Sequence, residues 1–165
     1  MSSEPDRIDR LVGQWADERP DLDLDTMALV ARLMRVAQLI TGRIEELAAA
    51  NGVHRGEGDV LFALRRAGAP FRLSPTRLAG SLLVTTGTMT NRLDRLEQRG
   101  LIKRIPNPAD RRSLDVELSA EGRRLVDAAV TEHVANEQAM LAPLTARDRA
   151  ELTRITRKLI AHLEA

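Results

Sequence analysis

Between residues 85 and 122 the apolar period of this chain changes twice, and few folds accept that change. Up to Gly100 the apolar residues return at helical spacing. Beyond it "LIKRI" and "LDVEL" alternate on either side of "PNPADRRS", and from Ser119 the helical period resumes. A chain with one short alternating pair in an otherwise helical pattern must use that pair as a hairpin carried on a helical body. The reading is therefore mainly α with a small two-stranded β-wing.

The helices around the hairpin are legible from their ends. Ile8, Leu11, Val12 and Trp15 share one helical face, and Pro20 stops it. From about Leu24 to Ala50 the apolar spacing continues until Asn51-Gly52 offers a C-terminal stop. Gly56 to Ala67 reads as a third helix, and Ser74-Pro75 is an N-cap with proline at the first helical position. Thr85 or Thr86 caps a fifth. Ser119 opens a sixth running to about Leu141, and Thr145 with Asp148 forms a capping box for the last.

A length of 165 residues is that of one domain. No apolar run approaches a membrane span, and the start "MSSEPDRIDRLVGQW" is acidic, without the basic and apolar regions of a secretory signal. With no cysteine there is no disulfide or thiolate metal site, and the expected location is the cytoplasm. Net charge is +1, but its distribution is uneven. Residues 1–27 carry eight carboxylates against three arginines, net −5, and residues 85–112 carry seven cations against three carboxylates, net +4. With two lysines in the whole chain, those cations are mostly guanidinium forks suited to phosphates, base edges and planar anions.

The long second helix and the two terminal helices carry more apolar residues than so small a hairpin can cover. Leu125, Val130, Val134, Leu152, Ile155 and Leu159 are among them, and a two-fold homodimer interface is their expected use. The expected organisation is an extra N-terminal helix over 1–20, a helical dimerisation region from 21–52 and 119–165, and a winged helix-turn-helix over 53–118.

In that order of elements, Met89, Leu93 and Leu96 point inward and leave Thr86, Gly87, Thr88, Thr90 and Asn91 outward near the start of the fifth helix, with Arg95 further along. Small hydroxyl and amide groups enter a major groove without clash and hydrogen-bond base edges. Arg111 and Arg112 stand at the wing tip, suited to a narrow minor groove, with Asp110 as a strut. Taken singly, a threonine-rich helix start is a cap and an arginine pair in a turn is a solvated loop. Their order and net charge point instead to double-stranded DNA.

The stretch "SPTRLAGSLLVTTGTMTNRLDRLEQRGLIKRIPNPADRRSLDVELSAEG" resembles the MarR family of bacterial transcriptional regulators, with "DRLE..GL" closing the recognition helix and Asp110, Arg111 and Arg112 as the wing motif. The resemblance spans essentially the whole chain. It implies a homodimeric repressor on a palindromic operator, with Arg112 in the minor groove.

"QWADERPDLDLDTM", "RGEGDVLFALRRAGAPFRLSP" and "EHVANE" are similar to the urate-responsive branch of that family, the PecS- and HucR-type regulators. That likeness implies an effector site of Trp15, Asp59, Arg92 and Arg104. The chain departs from the branch at Gly58, where a bulkier aromatic residue is usual. A purine anion would stack on the indole, take bidentate hydrogen bonds from an arginine and present ring N–H groups to Asp59. Each residue also has a structural reading: Trp15 as a staple for the first helix, Asp59 as a complement to a helix N-terminus, and Arg92 and Arg104 as phosphate ligands or partners of Glu97 or Asp94.

His133 and Glu137 stand i, i+4 apart; without a third ligand they suggest a pH-sensing histidine rather than a metal site. No nucleophile, acid–base set or metal triad suggests an enzyme, and no cofactor is expected beyond the effector. The alternatives are the same repressor answering a phenolic or other aromatic acid, or a DNA-binding regulator with no small-molecule ligand.

Overall fold

The computed structural model describes residues 5–107 and 113–165. Its elements are α1 (Arg7–Glu18), α2 (Leu24–Ala50), α3 (Arg55–Arg66), β1 (Arg72–Leu73), α4 (Pro75–Ser81), α5 (Thr86–Gln98), β2 (Ile102–Pro106), β3 (Leu114–Leu118), α6 (Ala120–Met140) and α7 (Ala146–Leu163). The chain divides into two compact units, Met1–Glu46 and Leu47–Ala165, with α2 running across the division.

In the first unit α1 starts at a reciprocal cap. The Asp6 carboxylate accepts from the Ile8 and Asp9 amides at 2.7 and 2.8 Å, and Asp9 accepts from the Asp6 amide at 2.9 Å. Arg32 of α2 donates from Nε to Asp6 at 2.9 Å and also binds Asp9. That guanidinium, followed by the helix-start amides, pulls the Asp6 pKa down to about 2.

In the second unit the core is built from one stripe of each element. Val60, Leu61 and Leu64 of α3, Leu78 of α4, Met89, Leu93 and Leu96 of α5, Ile102 of β2, Val116 of β3 and Val126 of α6 are all fully buried. Each such side chain contributes about 1.5–3 kcal/mol by leaving water. The α5 residues among them are the ones whose spacing assigned them inward.

The wing has a third strand that the alternating pattern does not reveal. β1 pairs antiparallel with β3, giving the order β1-β3-β2, with Arg72 opposite Glu117 and Leu73 opposite Val116. Two residues are too few to display a period of two, and this strand is defined by a partner more than forty positions away. The hairpin proper has Arg104 opposite Val116 and Lys103 opposite Glu117.

Three helices end in the same double turn. After α2, Gly52 donates to Ala49 and Val53 to Ala48; after α5, Gly100 donates to Glu97 and Leu101 to Leu96; after α4, Leu83 donates to Gly80 and Val84 to Ala79. The pivot residue is left-handed in each, with φ of 70°, 68° and 52°. Two pivots are glycine, which adopts that conformation freely, and the third is leucine. The last turn of α5 is then fixed to α6: Ser119 Oγ donates to Gly100 O at 2.6 Å and accepts from the Gly122 amide at 2.9 Å. A Cβ at Gly122 would lie 1.9 Å from Leu101 O, so only glycine permits this approach.

Candidate functional site

α4, the turn at Leu82–Thr85 and α5 form a helix-turn-helix whose second helix is capped by Thr85. The Thr85 hydroxyl accepts from the Thr88 amide at 3.2 Å. With Met89, Leu93 and Leu96 facing the core, Thr86, Gly87, Thr88, Thr90, Asn91 and Arg95 are all exposed. From Thr86 to Asn91 no side chain is larger than asparagine apart from the inward Met89. Thr90 Oγ1 back-bonds to Thr86 O at 3.0 Å, which leaves its methyl group outward of that bond. Asp110, Arg111 and Arg112, the expected wing-tip residues, lie outside the described residues.

The wing is tied to this helix by Arg104 on β2. Its Nη1 donates to Glu97 at 2.5 Å and its Nη2 to Asp94 at 2.7 Å, while its own amide donates to the other Glu97 oxygen at 3.1 Å. Partial burial pulls the arginine's pKa down, and the two carboxylates more than reverse this, raising it above its ordinary value. The residue expected at an effector site is thus one arm of a strut between wing and recognition helix.

Arg92, also on α5, lies against α3. Its guanidinium occupies the space beside Gly56, where a Cβ would come within 2.5 Å of Arg92 Cζ. Asp59 follows Gly56 by three residues and so belongs to the same face of α3, one turn on. Among the described residues the side chains of Asp59 and Arg92 make no hydrogen bond or ion pair, although both are half-buried. Three of the four residues expected at the effector site therefore belong to the second unit, with Arg104 engaged and Asp59 and Arg92 available. Trp15 belongs to the first unit, on α1, and is 48% exposed.

One charged residue in this region went unread in the sequence. Glu57 is only 3% exposed, accepts from the His54 amide at 3.3 Å and faces two arginines of α5, Arg99 at 3.4 Å and Arg95 at 3.7 Å. It sits on the floor of a cleft of about 630 Å³ that also includes Gln98 and His54. Its sequence position, third in a helix, is that of an ordinary capping acid. The arginines that make it a buried counter-ion arrive from about forty residues away.

His133 Nε2 meets Glu137 at 3.1 Å, and its ring lies 5.3 Å from that of Phe62. Among the described residues no three metal-binding side chains cluster, and no helix is long and apolar enough to cross a membrane.

Comparison with known proteins agrees with this geometry. The MarR family model matches residues 53–114, which contain α3, the helix-turn-helix and the strands β1 and β2. The HTH-type transcriptional regulator PecS of Dickeya dadantii is 37% identical over 94% of both chains. Among solved structures, a cysteine-to-serine mutant of E. coli MarR complexed with operator DNA is similar with a TM-score of 0.70 at 25% identity, covering 88% of this chain and 96% of that one. Wild-type E. coli MarR in its apo form gives 0.66 at 27% identity, covering 78% and 94%. A shared helix-turn-helix and wing, together with an identity that extends along nearly the whole sequence, place this chain in the MarR family of transcriptional regulators.

Proposed function

We propose that this chain is a homodimeric repressor that reads a palindromic operator with the exposed face of α5 and is released by a small anionic ligand, urate or a related purine. The observation that carries the DNA reading is the division of α5 itself. Its buried residues, Met89, Leu93 and Leu96, leave Thr86, Gly87, Thr88, Thr90, Asn91 and Arg95 free for a major groove. The operator-bound E. coli relative has the same fold. Arg111 and Arg112 are proposed as the wing's minor-groove contacts, with Asp110 supporting them.

Dimerisation is supported by apolar faces that the single chain leaves open. α2 exposes Leu29, Val30, Met34 and Val36. The C-terminal helices expose Val134, Ile155, Ile160 and Leu163. Solvent contact over so many large side chains is the signature of an interface.

The effector reading rests on the unpaired side chains of Asp59 and Arg92, the latter on the same helix whose Asp94 and Glu97 engage Arg104. An anionic purine that draws Arg92 and Arg104 to itself, while offering ring N–H groups to Asp59, strips Asp94 and Glu97 of their counter-ion. The wing then loses its strut to α5. The ligand acts only as far as it binds this loosened state better than the DNA-competent one. Gly58 stands beside Asp59 in the sequence where a bulkier residue is usual in the urate-responsive branch, so competition between urate and a phenolic acid tests which planar anion fits. Trp15→Phe tests the remaining member of the expected set.

The experiment for the DNA reading is binding to the duplex just upstream of the chain's own gene. Asn91→Ala is expected to cost about 1–3 kcal/mol and to relax specificity at one base position. An unchanged affinity removes the α5 face from the interface.

A further inference from the structure

A second cationic feature lies outside both the recognition helix and the wing tip. Arg66 ends α3, Arg72 is on β1 and Arg77 is on α4, and the three line one recess of about 300 Å³ whose remaining wall includes Ala67, Leu73 and Ser81. Arg72 is neutralised: Glu117 of β3 takes hydrogen bonds from its Nε at 2.9 Å and its Nη2 at 2.6 Å. Arg66 and Arg77 are exposed, and among the described residues neither guanidinium has a hydrogen bond or an ion pair, the Arg77 amide alone being used by the Ser74 cap. The recess therefore holds three guanidinium groups against one carboxylate, with two of the three uncommitted.

We propose that Arg66 and Arg77 form a phosphodiester clamp for the DNA backbone flanking the groove read by α5. The proposal rests on the DNA-binding reading and extends it to a surface not included there. α4 is the helix that precedes the recognition helix, and in a helix-turn-helix the preceding helix crosses the sugar–phosphate backbone. An exposed arginine on it meets phosphate oxygens rather than base edges. Arg66 shares the recess, so two forks converge on one region, and a guanidinium binds two oxygens of a tetrahedral anion in a fixed plane. The carboxylate that could have quenched them, Glu117, is already held by Arg72. A concave site with net positive charge concentrates a polyanion's field more than the same charges on a flat face. Contacts of this kind position the protein and carry no sequence information.

The test is duplex binding by the full-length protein across a series of salt concentrations, comparing wild type, Arg66→Gln, Arg77→Gln and the double variant, with Arg147→Gln on α7 as a control. Each phosphate contact removed should flatten the slope of log Kobs against log salt by about 0.9, through counterion release. Affinity should fall by a similar factor for the operator and for a scrambled duplex, and the control should not change either quantity. Slopes equal to wild type in both single variants and the double variant overturn the clamp. So does a loss confined to the operator, since that is base reading. Stabilisation of the free protein by millimolar inorganic phosphate that the double variant loses, together with salt slopes for that variant equal to wild type, also overturns it, because the recess is then a site for the free anion and not for DNA. A wild type that binds neither duplex at any salt removes the DNA reading itself, which separates that failure from failure of the clamp.

Discussion

Arg104 and Glu97 are joined twice, once through the guanidinium at 2.5 Å and once through the Arg104 amide at 3.1 Å, so one residue's backbone and side chain are both held by the recognition helix. Asp94 completes the contact at 2.7 Å. The angle between wing and helix is thereby set by charge as well as by the buried contacts of Leu93 and Ile102 beneath it.

Removing that strut should separate stability from function. In Arg104→Ala the pairs are partly solvent-exposed, so their loss should cost about 1 kcal/mol of unfolding free energy, measured by urea denaturation. DNA affinity should fall several-fold with helix content unchanged. A variant that binds DNA as wild type does would show that the wing is held elsewhere.

Gly56→Ala should act in the opposite sense on the two quantities. Alanine in place of a helical glycine favours the helix by about 0.5–1 kcal/mol. Its methyl group would displace the Arg92 guanidinium, the flexible end of a long side chain that can move aside. Unfolding by urea should therefore show equal or greater stability while the response of DNA binding to urate weakens. Unchanged urate sensitivity would take Arg92 out of the effector site.

How far these features are legible in the sequence depends on the distance over which they act. Helix ends are set by near neighbours, and Ser74, Thr85, Ser119 and Thr145 all cap where their spacing says they should. The Arg104 pairing is available as an option because Asp94 and Glu97 are ten and seven residues away across a tight turn. β1 and the burial of Glu57 are not available, since each depends on partners about forty residues distant that no local pattern marks.

Leu83 provides an internal comparison for the helix-ending turns. It occupies the left-handed pivot that Gly52 and Gly100 fill elsewhere, and its side chain is 94% exposed, so no packing offsets the conformation. Leu83→Gly should raise unfolding free energy by about 1 kcal/mol, the usual penalty for a side chain in this region. Equal or lower stability in chemical denaturation would mean that the turn is not strained.

The first unit should have its own acid transition. Asp6 has its pKa lowered from an ordinary 3.8 to about 2, chiefly by the Arg32 hydrogen bond. A depressed carboxylate stabilises the folded form above its unfolded pKa, and that contribution is lost as pH falls through the folded value. Trp15 fluorescence should report a change between about pH 4 and pH 2 in wild type that Asp6→Asn lacks. Superimposable titrations would show that the Arg32 contact does not anchor α1.

The most direct test of the repressor account is fluorescence anisotropy of the duplex upstream of the chain's own gene, at fixed near-physiological salt, with and without urate, for wild type and Asp59→Asn. The account predicts tight binding by both proteins and release by urate from wild type at concentrations that leave Asp59→Asn bound. Tight binding that urate does not alter in either protein would contradict it.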